Sequence, residues 1–179
     1  MSDQREYMPE GVYKRKAMRI KVLIASLEQP IKAIEEEMDE IIGGSEELSR
    51  QMDLLKSIDG VERVVALNMI ITTEVFSRFD NARQFCCYAG LAPFSYTSVS
   101  SHHSKNRVSK RAAKYIKALL HMAAIAVAHR KEGELKEYFL RKVAEGKNKM
   151  TVLNAVRAKL VARMFSVIKN NRVYQPILS

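Results

Sequence analysis

From Tyr13 to Ile42 the apolar residues Met18, Val22, Ala25, Ile31, Ile34, Met38 and Ile41 recur at spacings of three, four or six. That period belongs to a helix, and it leaves Glu35, Glu36, Asp39 and Glu40 largely on other faces. A thin apolar stripe on so long a helix wants a partner, so coiled-coil packing within the chain or between two chains is expected. Pro30 lacks the N–H that a helix interior needs and is expected to kink or restart the helix. Gly43-Gly44 stops it, and Ser45 is a plausible cap for a second helix over 46–57.

The same period continues downstream. Residues 61–73 read as an almost wholly apolar helix that should be buried, and 81–88 as a short helix ended by Gly90. Residues 110–130 read as a helix with Tyr115, Ile116, Leu119, Leu120, Ala123 and Val127 facing the core. A shorter helix over 134–145 lies between Gly133 and Gly146. The last, over 148–170, carries Leu153, Val156, Leu160, Met164, Val167 and Ile168 on one side, with Lys147, Arg157, Lys159 and Arg163 elsewhere. No strand alternation and no repeat appears, so the fold class is all-α. A long N-terminal coiled-coil-like helix precedes a compact multi-helix domain with a long Ser-rich loop. The implied organisation is a disordered N-terminus over 1–12, a helical dimerisation segment over 13–50, and a C-terminal domain over 51–175.

Charge is partitioned along the chain. Residues 1–90 hold 12 basic and 16 acidic side chains, whereas 91–179 hold 18 basic and four acidic ones, Glu132, Glu134, Glu137 and Glu145. Such one-sided excess predicts a polyanionic partner rather than a fold. The basic residues are spread over several segments, which argues against a membrane-surface helix. The longest apolar run, from Ala123 to Ala128, falls far short of the ~18 residues of a membrane span. The charged start, MSDQREYMPE, has no signal-peptide core, so a cytoplasmic protein is expected. Cys86 and Cys87 are adjacent with no other cysteine to pair with, and read as reduced core or near-core residues.

Two-metal phosphoryl transfer needs several converging carboxylates, and the basic half has four Glu and no Asp. No metal site is expected in this chain. His102, His103, His121 and His129 have no Cys or carboxylate at ligand spacing in the loop, and the run Glu35-Glu36-Glu37 reads as a solvated helix face. What remains is a hydroxyl among cations. The loop over 91–108 holds five serines and runs into Lys105, Arg107, Lys110 and Arg111, with Lys114 and Lys117 further on. A serine can attack a phosphodiester once its proton is removed and the developing charge is neutralised. Lys110 and Arg111 follow the cap residue Ser109, where a helix dipole disfavours cations. An anion held there would reverse that cost. Ile58-Asp59-Gly60-Val61 is similar to the turn of helix-hairpin-helix modules, but Glu62 replaces the second glycine, so it reads mainly as a structural turn.

Several blocks together carry a family resemblance. They are Leu55-Lys56-Ser57-Ile58-Asp59-Gly60-Val61, Phe76 to Phe85, Tyr88-Ala89-Gly90-Leu91-Ala92-Pro93-Phe94, Arg107-Val108-Ser109-Lys110, and Glu145 to Met150 with Leu153-Asn154-Ala155-Val156-Arg157. In this order they resemble the C-terminal transposase domain of the insertion-sequence family numbered one hundred and ten. These are DEDD-type bacterial transposases, bridge-RNA-guided recombinases, and the likeness runs from about residue 13 to about residue 175. The resemblance implies an N-terminal RuvC-like domain that binds Mg, a coiled coil, and a C-terminal domain with a catalytic serine. Five residues after Pro93, that serine is Ser98. Val99 follows it where the family usually has Gly, and a β-branched residue hinders positive φ.

The reading is therefore a C-terminal transposase or DNA recombinase fragment without the RuvC-like domain. Ser98 is its nucleophile, and Lys105, Arg107, Lys110, Arg111 and Lys114 hold the DNA. No cofactor is expected in this chain. DNA, structured guide RNA and a second copy of the chain are the expected partners, and the isolated chain is expected to do little chemistry. Two alternatives remain open: a non-catalytic nucleic-acid-binding module or degenerate mobile-element remnant, and a structural oligomerisation protein.

Overall fold

Seven helices and no strand are formed by residues 7–91 and 114–176, which the computed structural model describes. The all-α reading holds. The chain divides into two compact units between Glu46 and Glu47.

The first unit is dominated by α1 (Glu10–Gly43). It runs through Pro30 as one helix rather than restarting there. Its strong helix-forming neighbours outweigh a single missing donor in so long a run. Gly44 ends it, its N–H donating to the Glu40 carbonyl at 2.8 Å. No residue of α1 is buried, and Met18, Val22, Ile31, Ile34 and Ile41 are all more than half exposed.

The second unit holds α2 (Glu46–Lys56, beginning at the boundary), α3 (Arg63–Thr73), α4 (Ala82–Tyr88), α5 (Lys114–Ala128), α6 (Glu134–Ala144) and α7 (Lys149–Asn170). α4, α5 and α6 all pack on α7, and α3 packs on α5. Leu55, Phe85, Leu120, Val156, Leu160 and Met164 are fully buried. Each such side chain contributes roughly 1.5–3 kcal/mol by leaving water. Asn81 and Asn148 cap α4 and α7. The Asn81 carboxamide oxygen accepts from the Gln84 N–H at 3.0 Å, and that of Asn148 from the Met150 N–H at 2.9 Å.

Three burial expectations need correction. α3 buries Val65, Ala66, Met69, Ile70 and Thr73, but Val64 and Ile71 are 51% and 61% exposed. Its apolar composition goes all round, while its packing against α5 covers one side. Tyr115 stands out in solvent at 64% exposure, because Ile116, the next residue round the helix, takes the inward position. Arg157, read as lying off the core, is buried at 6% exposure.

The junction after α2 is the structural turn that the sequence suggested. Gly60 has φ +83°, and a Cβ there would lie 2.0 Å from Cγ2 of Val127, so the turn sits directly against α5. Asp59 beside it accepts from the Arg130 guanidinium at 3.0 Å. After α3, Glu74, Val75 and Phe76 all have positive φ, a left-handed turn that is costly for a β-branched residue such as Val75. Buried Thr73 braces it, its hydroxyl accepting from the Phe76 N–H at 3.0 Å and donating to the Met69 carbonyl at 2.7 Å. Phe76 then meets Phe165 edge-on at 5.0 Å, and Phe85 lies 5.9 Å from the same ring, tying α4 to α7.

Candidate functional site

Helical spacing alone brings a set of polar side chains into one groove. On α5, Lys114, Lys117, Ala118 and His121 follow one another by three, one and three positions and share a face. On α7, Met150, Asn154 and Arg157 do the same at four and three. These two faces, with Gly90 and Leu91 beyond α4, line a cleft of about 500 Å³. Gly90 takes φ +66°, and the Leu91 N–H closes α4 by donating to the Cys86 carbonyl at 2.8 Å. The first turns of α7 also border the cleft, adding the partial positive charge of a helix N-terminus.

The electrostatics are lopsided. Lys114, Lys117 and Arg157 line the cleft, and no Asp or Glu among the described residues does. Arg157 is nine-tenths buried, and its Nε has no hydrogen-bond partner among the described residues. Residues 92–113 contain no carboxylate that could supply one. Burial lowers the Arg157 pKa from its ordinary value, yet a guanidinium remains charged at neutral pH. Nδ1 of His121 is likewise buried without a partner among the described residues.

Several other polar groups of this unit have internal partners, although Oε1 of buried Gln51 has none among the described residues. Arg163 pairs with Oε2 of Glu134 at 2.6 Å, the Tyr174 hydroxyl donates to the same oxygen at 2.8 Å, and the Arg163 guanidinium lies 4.6 Å over the Tyr174 ring. Burial, and then the hydrogen bond to Glu134, push the Tyr174 phenol up to about 12. Tyr174 also ties the chain end to α2, its N–H donating to the Ser57 hydroxyl at 2.8 Å. Cys86 is buried and Cys87 half-buried, both free. Burial first, and then Cys87 beside it, push the Cys86 thiol up to about 11, leaving it protonated and poorly nucleophilic. Nδ1 of His129 is bonded to the Ile125 carbonyl at 2.9 Å. Among the described residues no three His, Cys, Asp or Glu converge as metal ligands. These residues do not fit a carboxylate metal site.

Of the site residues read from the sequence, Ser98, Lys105, Arg107, Lys110 and Arg111 lie outside the described residues. Lys114 is described and stands exposed at the cleft. The structure joins it to Lys117, His121, Asn154 and Arg157, the last three of which sequence reasoning did not place in a site. A signal for Arg157 was present: it stands four residues after Leu153 and three before Leu160, at a position where the α7 period calls for an apolar side chain.

Residues 52–140 match the family model described as Transposase IS116/IS110/IS902 family. Two curated relatives, each called a pilin gene-inverting protein, come from Moraxella bovis and Moraxella lacunata. Each is 25% identical over 144 residues, covering 80% of this chain and 45% of the relative. The chain thus spans under half the length of these relatives. The matches support the transposase family for this chain. Lys114, Lys117 and His121 fall inside the matched residues, whereas Asn154 and Arg157 lie beyond them.

Proposed function

We propose that this chain is the C-terminal part of a transposase or DNA recombinase, and that its basic half binds the DNA whose strands are exchanged. One observation carries the reading: a cleft lined by cations and, among the described residues, by no carboxylate, next to the long Ser-rich segment of a chain that matches a transposase family over residues 52–140. Cations left without internal partners cost desolvation and mutual repulsion, and a phosphate backbone offsets both.

Ser98, seven residues past Leu91, is the proposed nucleophile. Its oxygen forms a bond to phosphorus, the phosphorus–sugar oxygen bond breaks, the serine proton is lost and the departing sugar oxygen gains one. Lys105, Arg107, Lys110, Arg111 and Lys114 balance the charge that grows on the phosphate oxygens. The Mg-binding carboxylates belong, in this reading, to a RuvC-like domain outside this chain. Structured guide RNA would use the same phosphate chemistry. The exposed stripe of α1 would pair with a second copy of the chain, which sedimentation tests directly.

The decisive experiment supplies the RuvC-like domain in trans with guide RNA and duplexes carrying the element ends, and looks for a covalent protein–DNA adduct. The parent chain should form the adduct and Ser98→Ala should not. An adduct of equal yield from Ser98→Ala would assign the nucleophile elsewhere. Duplex binding without an adduct from either chain would favour a non-catalytic binding module.

A further inference from the structure

The cleft between α5 and α7 holds a charged side chain that the fold does not explain. Arg157 is 6% exposed, and among the described residues its Nε is buried without a partner and no carboxylate lines the space it borders. Arginines this deeply buried normally have an anionic partner, because a lone buried charge is strongly unfavourable. An apolar side chain would fill the same register of α7 between Leu153 and Leu160 at no such cost. His121, buried at Nδ1 and equally without a partner, borders the same space from α5. Lys117 adds a flexible ammonium, and Asn154 a carboxamide able to donate a hydrogen bond. A guanidinium with an unpartnered N–H, a neighbouring ammonium and the lack of a described carboxylate beside them suit a tetrahedral oxyanion of a phosphodiester.

We propose that this cleft is a phosphate-binding subsite in which Arg157 grips one phosphate of a nucleic-acid backbone, with Lys117 and Asn154 beside it. The proposal deepens the DNA-binding reading above and takes its ligand class from it. Arg157 lies outside the residues that the family model matches, and its role is to anchor the strand rather than to attack it.

The test uses the full chain with two probes, inorganic phosphate and a short DNA duplex. The Arg157 Nε–Hε resonance is assigned by its absence from the spectrum of Arg157→Lys and followed as phosphate is added. It should shift in a saturable manner. Arg157→Met should melt at or above the temperature of the parent in chloride, lose the rise in melting temperature that phosphate gives the parent at equal ionic strength, and bind the duplex about tenfold more weakly. Arg157→Lys should recover part of that affinity. The proposal is overturned if the resonance does not respond to phosphate, or if Arg157→Met melts well below the parent while binding the duplex equally well. The resonance is read on the parent chain, so the phosphate titration decides the matter even where a variant fails to fold. A parent that binds duplex while the resonance stays fixed loses the subsite and keeps the DNA reading. A parent whose resonance responds to phosphate but which ignores duplex keeps an anion site and loses the DNA reading.

Discussion

Arg157 and Arg163 stand six residues apart on α7, and both are shielded from water, yet the fold treats them in opposite ways. Arg163 has Glu134 at 2.6 Å and the Tyr174 ring beneath its guanidinium. Arg157 has no carboxylate among the described residues of its cleft. The first arginine holds α6, α7 and the chain end together, and its role ends there. The second has a buried Nε with no partner among the described residues, and in the proposal above a phosphate supplies one. Internal partners separate a structural cation from one kept for a ligand, and that distinction, more than the count of basic residues, identifies the working face.

The contrast sharpens into a series of substitutions. On the satisfied side the largest loss belongs to Gly60→Ala. It puts a Cβ 2.0 Å from Cγ2 of Val127 at a residue with φ +83°, and should cost about 3 kcal/mol in a urea titration. Arg163→Met comes next. It takes the guanidinium from Glu134, which keeps the Tyr174 hydroxyl and whose side chain is 40% exposed, so water screens much of the loss and about 1–2 kcal/mol is expected from the same titration. A loss that large from Arg157→Met, with Arg163→Met silent, would invert the comparison.

The smallest effect is confined to high pH. The Tyr174 phenol is raised from 10.0 to about 12, so the folded state holds this proton more tightly than the unfolded chain. Its contribution is fully present below pH 10, falls between 10 and about 12 as the unfolded chain deprotonates first, and is gone above. The Cys86 thiol, raised from 9.0 to about 11, adds a loss of the same sign that begins lower. Tyr174→Phe should flatten the upper part of the alkaline decline and leave the Cys86 part. An unchanged slope above pH 10 would mean that neither burial nor Glu134 makes the fold hold the phenol proton more tightly.

Periodicity makes most of the fold legible. The helices α1, α2, α4, α6 and α7 lie within a few residues of their sequence boundaries, since Gly and Asn punctuation and apolar spacing act locally. Burial is less legible where composition and packing diverge. In α3 the apolar residues encircle the helix, so nothing in its sequence says that Val64 and Ile71 face outward. The site is legible in charge but not in position. The excess of cations after residue 91 points to a polyanion and includes Lys114, but Asn154 and Arg157, which share its cleft, come from α7, more than thirty residues away. The rule that a cation seeks water misplaces Arg157, though its register on α7 says otherwise.

The dependence of duplex-DNA affinity on salt tests the central claim most directly. Five or so phosphate contacts by cations of the basic half predict a fall of about 10²–10³ in affinity between roughly 50 and 200 mM monovalent salt. An affinity that hardly changes over that range would contradict it, for the cations gathered in the basic half would then have no phosphate to meet.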